Sequence, residues 1–142
     1  MFELAEVAAV AEQRLHTSDV SARIDVLAGE LLTGDLPSGY NAFLVANVVH
    51  YFTPETNRAI LRKIRAAAEP GARLLLADFW TDTTHTQPVP AALMAGEFAV
   101  HINDGDVYSV DEAAAWLAHT GWQFTGHLPL AGPITLVTAE AG

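Results

Sequence analysis

The sequence predicts an α/β fold with a mostly parallel sheet, helices on both faces, and an antiparallel strand pair at the C-terminal end. Two observations carry that expectation. Short apolar runs alternate with amphipathic stretches over residues 1–120, the order expected of strands joined by crossover helices. Two further β-rich runs, 122–130 and 134–140, then stand a few residues apart, as a closing hairpin would. The chain has 142 residues, 51% of them hydrophobic. That is enough apolar material for a single domain spanning 1–142.

Each element has its own reason. Residues 1–4 read as a short strand. Residues 5–16 place Val7, Val10, Ala11 and Leu15 on one face and Glu6, Glu12, Gln13 and Arg14 largely on the other, an amphipathic helix. Residues 24–28 (IDVLA) form a brief apolar run that stops at Gly29-Glu30, and a turn-rich stretch, TGDLPSGY, follows. Residues 42–49 (AFLVANVV) are apolar throughout but for one Asn, as in a central parallel strand covered on both faces. A helix is predicted over 54–68. Thr53 is suited to cap it, Pro54 to its first position, and Glu55 to its positive end. Ile60, Leu61, Ile64 and Ala68 form its apolar stripe, and Pro70-Gly71 ends it. Residues 73–79 (RLLLADF) are the next buried strand. A polar loop spans 80–90, with helices at 89–99, carrying Leu93, Met94 and Phe98, and at 110–120, with Trp116 and Leu117 facing inward.

Charge and composition narrow the function. Seventeen acidic residues against seven basic ones give a formal charge of −10, which repels phosphate backbones and argues against nucleic acid as a partner. No basic stripe is present to meet an anionic membrane, and no apolar run approaches the ~20 residues that span one. The first residues, MFELAEVAAVAEQ, lack the basic segment of a signal peptide. The absence of cysteine excludes disulfides and thiolate metal sites and fits a reducing, cytoplasmic location.

In open α/β sheets, ligands sit beyond the carboxyl ends of the strands. Four titratable residues fall there: Glu3 at the end of the first strand, Glu30 after the second, His50 after the third, and Asp78 near the end of the fourth. His50 and Asp78 come from strands joined by a single helix, so they are expected to be neighbours. A carboxylate beside an imidazole fixes its tautomer and stabilises its protonated form, which suits a general base. Each residue also has an ordinary reading: a structural histidine, a carboxylate bonded to turn amides, two solvated loop acids. The tryptophans and Met94 read first as core. Asp78, Asp82 and His85 have no spacing that marks a metal site, and none is expected.

The run VLAGELLTGDLPSGYNAFLVANVVHYFTPETNRAILRKIRAAAEPGARLLLADFW resembles the class I S-adenosylmethionine-dependent small-molecule O-methyltransferases. ALMAGEF, DGDVYSVDEAAAWLAHTGW and ITLVTAE resemble their later segments. The resemblance covers essentially the whole chain and implies the C-terminal portion of a Rossmann-like methyltransferase catalytic domain. It places Glu3, in FEL, at the acid that binds the cofactor ribose, and Glu30, in AGEL, at the Asp that contacts adenine. His50 falls at the catalytic base, here followed by Tyr51-Phe52. Asp78 falls at the acid supporting that base, and a second supporting acid falls near Val107, with Asp106 beside it. The implied substrate is a hydroxyl of a small, aromatic molecule, and the implied cofactor is S-adenosylmethionine.

The resemblance also implies an N-terminal dimerisation domain and a strand with a glycine-rich loop, placed between the strands matching residues 1–4 and 42–49. The sequence contains no Gly-x-Gly-x-Gly. Self-association or a complementing chain is therefore expected, to cover the strand edges. A non-catalytic binding or partner domain that has lost cofactor binding is the alternative. A nicotinamide-dependent oxidoreductase, which would need its own phosphate-binding glycines, stands further off.

Overall fold

The computed structural model describes residues 1–102 and 104–142. The chain divides into two compact units, Met1–Pro37 and Ser38–Gly142, each described here by itself.

In the first unit, β1 (Phe2–Glu3) pairs in parallel with β2 (Leu27–Ala28), and α1 (Ala5–Leu15) lies between them in sequence. The apolar stripe of α1 is largely open: Val7 and Val10 are exposed and Ala8 is the buried residue. Two strands of two residues offer little surface to cover a helix.

The second unit holds a four-stranded mixed sheet in the order β3-β4-β6-β5. Strand β3 (Tyr40–Ala46) runs parallel to β4 (Ala68–Phe79), joined by α2 (Pro54–Ala67). The hairpin strands β5 (Trp122–Pro129) and β6 (Ile134–Ala141) are antiparallel to each other, and β6 is antiparallel to β4. Two more helices, α3 (Val89–His101) and α4 (Val110–Ala118), fill the stretch between β4 and β5.

The caps behave as the residues predict. The Thr53 hydroxyl accepts the Thr56 amide at 3.3 Å, with Pro54 in the first turn. Ser109 and Glu112 close a capping box on α4. Helix α2 stops at Ala67, and β4 begins at once, earlier than residue 73. Its first residues bulge, since Tyr40 faces Ala68 while Ala42 faces Arg73. Gly71, at φ +73°, supplies the left-handed conformation that turn requires.

Alternate residues of β4 (Ala72, Leu74, Leu76, Asp78 and Trp80 just beyond it) are almost fully buried. Leu76, Val45, Ile60, Leu61, Ile64 and Trp116 surround one small internal cavity, which places α2 and α4 over that face. On the opposite face Phe79 meets Phe98 of α3, edge to face, at 5.5 Å.

Strand β3 departs from expectation. It is an edge strand of its sheet, not a central one, and Leu44 is 67% exposed while Phe43 and Val45 are half-buried. Its apolar composition suits cover on both faces, but β4 is its one partner among the described residues.

Candidate active site

His50 and Asp78 meet beyond the carboxyl ends of β3 and β4. After β3 the chain turns through Asn47, at φ +54°, with the Asn47 amide donating to Ala77 O at 2.9 Å. Asn is among the few side chains that tolerate this conformation. A single 3-10 turn, Val49–Tyr51, follows and carries His50 inward. The imidazole is 5% exposed and the Asp78 carboxylate residue 1%.

Asp78 is saturated with donors. Its Oδ2 accepts the amides of Val48 at 3.1 Å and Val49 at 2.9 Å. Its Oδ1 accepts the Phe79 amide at 2.9 Å and faces His50 Nδ1 at 2.7 Å. Four donors suit an acceptor-only carboxylate, so His50 carries its proton on Nδ1. Nε2 then offers a lone pair. Among the described residues it has no hydrogen-bond partner, and no fully buried side-chain nitrogen or oxygen lacks one. With Nδ1 held by Asp78, Nε2 is the ring nitrogen left to act on a substrate.

Three residues not singled out for the site hold this geometry. Asn57 of α2 is buried, and its Nδ2 donates to Val49 O and to Phe52 O, both at 3.0 Å. The Tyr108 hydroxyl also donates to Phe52 O, at 2.7 Å. Burial, with the Asp106, Glu112 and Glu55 carboxylates nearby, pushes the Tyr108 phenol up to about 12, so it remains a donor at neutral pH. Phe98 of α3 lies flat on the His50 ring, with centroids 4.2 Å apart and planes within 5°. Asn57 was visible in principle: it is a polar residue at i−3 from Ile60 and i−4 from Leu61, on the buried stripe. Replacing it with Leu should destabilise the protein by about 1–3 kcal/mol, because Val49 O and Phe52 O lose their side-chain amide donor and keep only the Phe52 amide and the Tyr108 hydroxyl. Chemical denaturation reads that loss; a change below about 0.5 kcal/mol, the usual range for an inconsequential surface substitution, would show that the turn does not depend on Asn57.

The remaining candidates belong to other elements. Glu3 and Glu30 are in the first unit, Glu3 half-buried in β1 and Glu30 exposed two residues beyond β2. The four groups expected on one sheet edge are thus divided between two sheets, because β1 and β2 pair with each other and β3 pairs with β4. Glu30 Oε1 accepts the Leu32 amide at 3.4 Å. The Asp106 carboxylate accepts its neighbour's amide, Val107 N–H, at 2.7 Å, while its own amide donates to His50 O at 3.1 Å. Asp106 thus supports the His50 backbone rather than its ring, and Val107 is buried. Asp82 takes up the Thr84 hydroxyl and the amides of Thr86 and Gln87, which hold its carboxyl below the usual range. His85 Nε2 sits 3.5 Å from Glu112. Among the described residues no group of three His, Cys, Asp or Glu side chains is placed to hold a metal ion. No helix among them is long and apolar enough to cross a membrane.

Comparison with known proteins identifies the family. The O-methyltransferase family 2 protein from Planctomyces limnophilus DSM 3776, solved in complex with apigenin, superposes with a TM-score of 0.92. It is 23% identical and covers 99% of this chain and 42% of its own. PigF of Serratia sp. strain ATCC 39006, solved with SAH, gives a TM-score of 0.87 at 28% identity, again over 99% of this chain and 42% of its own. The 3-hydroxy-5-methyl-1-naphthoate 3-O-methyltransferase of Streptomyces sahachiroi is 31% identical over 119 residues, 84% of this chain and 34% of the relative. The O-methyltransferase domain model matches residues 1–123. The chain belongs to that family. It spans roughly a third to two fifths of the length of these relatives.

Proposed function

We propose that this chain is part of an S-adenosylmethionine-dependent O-methyltransferase acting on a hydroxyl of a small aromatic molecule. The observation that carries the reading is the buried His50–Asp78 pair, in which the Nδ1 bond to Asp78 leaves Nε2 as the ring's acceptor. A phenol ionises near ~10, so at neutral pH a base must take its proton as the oxygen is methylated. His50 Nε2 receives that proton, and Asp78 holds the ring in the tautomer that can accept it and steadies the imidazolium formed. Two catalytic supports suffice, since alkyl transfer of this kind depends mainly on positioning. A relative of this chain acts on a naphthoate hydroxyl, by its name, which supports an aromatic acceptor.

S-adenosylmethionine, when bound, supplies the electrophilic methyl group. Glu3 and Glu30 fit its sugar and base by chemistry: both are carboxylates at the carboxyl ends of paired strands, able to accept from ribose hydroxyls and the adenine amine. The solved relative holding SAH supports that cofactor class. The 142 residues contain no glycine-rich loop to bring backbone amides to the cofactor's amino-acid portion. Titration calorimetry of this chain alone should therefore show weak binding of S-adenosylmethionine or none. Tight one-to-one binding would mean that these residues form a more complete cofactor site.

The exposed edge and apolar face of β3, with Leu44 and Tyr40 open, support either self-association or a complementing chain that pairs there. A reducing cytoplasm is the setting that a chain without cysteine suits. The second reading, a non-catalytic binding or partner domain, is favoured by the lack of a Gly-x-Gly-x-Gly loop in the sequence.

A further inference from the structure

We infer that Phe98 is a positioning residue for His50, locking the imidazole plane so that Nε2 keeps one direction. The inference rests on the reading of His50 as the base. The bond from Nδ1 to Asp78 fixes one corner of the ring. A single hydrogen bond leaves the ring free to rock about that contact, and the terminal torsion of histidine is intrinsically broad. A parallel ring at 4.2 Å and 5° removes that freedom, since rocking would drive the imidazole into the Phe98 face.

Phe98 is itself well held. It is 7% exposed, and Phe79 stands edge-on both to it, at 5.5 Å, and to His50, at 5.7 Å. Aromatic rings meeting in T-shaped contacts form a stiff wall. Helix α3 has two buried residues, Ala91 and Phe98, while Leu93 and Val100 are 70% and 78% exposed. The helix is therefore anchored to the body largely through the residue that stacks on the base. Tyr51, half exposed, approaches the same imidazole at 4.4 Å but tilted by 36°, a looser contact than that of Phe98. Polar anchors account for the position of the His50 backbone; the aromatic contact accounts for the plane of its ring.

The test is the ring of His50 in the 142-residue chain, read by long-range ¹H–¹⁵N correlation of the histidine side chains. The six histidines are separated by assigning His50 through His50→Gln. In the wild-type chain the two ring nitrogens should be well separated, as one Nδ1-protonated tautomer, and the proton between them shifted upfield by the Phe98 ring. Phe98→Leu should leave the nitrogen separation, which the Asp78 bond sets, but abolish the upfield shift and lower the order of the His50 ring read by relaxation of its ¹³C–¹H bonds. Phe98→Tyr, which keeps the ring, should restore both. If Phe98→Leu does not fold, Phe98→Met and nuclear Overhauser contacts between the two rings in the wild type carry the same test. Wild-type ring order in folded Phe98→Leu or Phe98→Met, or a folded Phe98→Tyr that fails to restore it, overturns the inference. These spectra do not depend on turnover. Should His50→Gln methylate at the wild-type rate while Phe98→Leu loosens the ring, the positioning role stands and the reading of His50 as base falls.

Discussion

Replacing Asp78 with Ala is expected to destabilise the protein by about 3–5 kcal/mol, because several buried donors are stranded at about 1–3 kcal/mol each. The carboxylate accepts from three backbone amides and one imidazole at once. Its loss strands donors in a region that water hardly reaches. Asp78→Asn should fare little better despite its matching shape. An amide offers one oxygen and one NH₂, so either the Val48 and Val49 amides or the Phe79 amide would face a donor. The turn that carries His50 is tied to β4 through these bonds, so the destabilisation should appear first as loss of order at Val48–Phe52. Denaturant unfolding of both variants checks the magnitude. An Asp78→Asn protein within about 1 kcal/mol of wild type would show that the site tolerates a neutral partner, and that Asp78 does not set the His50 tautomer.

The second large effect falls on rate. In a form of the protein that turns over, His50→Ala should slow methyl transfer by ~10²–10⁴, the usual span for a general base. Binding of S-adenosylmethionine should change little, since the residues proposed to hold its sugar and base are Glu3 and Glu30. Truncating a buried ring also opens space among Phe98, Phe79 and Tyr51. His50→Gln, which refills part of that space without supplying a base, separates the two losses. Stability should recover partly in the Gln variant while the rate stays low. Equal rates for wild type and His50→Gln would mean that positioning alone drives the transfer.

Much of this site was legible in the sequence because it depends on local pattern. Two apolar runs joined by one capped amphipathic helix place strand ends side by side, and that alone brought His50 to Asp78. The Thr53-Pro54 start of α2 and the closing hairpin were readable for the same reason. What escaped was tertiary. Phe98 reads as one apolar residue in an apolar helix, and nothing in VPAALMAGEFAVH says that it lies on an imidazole 48 positions earlier. Tyr108 reaches Phe52 across 56 residues. The unpaired edge of β3 was expected; the exposure of Leu44 and the open stripe of α1 were not, since an apolar run signals burial without saying what is present to provide it. Glu3 and Glu30 follow strands that the family resemblance sets apart from residues 42–49 by a further strand, and among the described residues β1–β2 and β3–β4–β6–β5 are separate sheets.

The most direct test of the proton transfer assigned to His50 is the dependence of the His50→Ala penalty on acceptor acidity. Methyl transfer would be compared between wild type and variant across aromatic hydroxyls that differ in acidity but little in shape. An acceptor already ionised at the assay pH has no proton for His50 to take. The account predicts a penalty of ~10²–10⁴ for weakly acidic phenols that shrinks toward none as the acceptor ionises. A penalty of the same size for neutral and ionised acceptors would contradict it and leave His50 a structural residue.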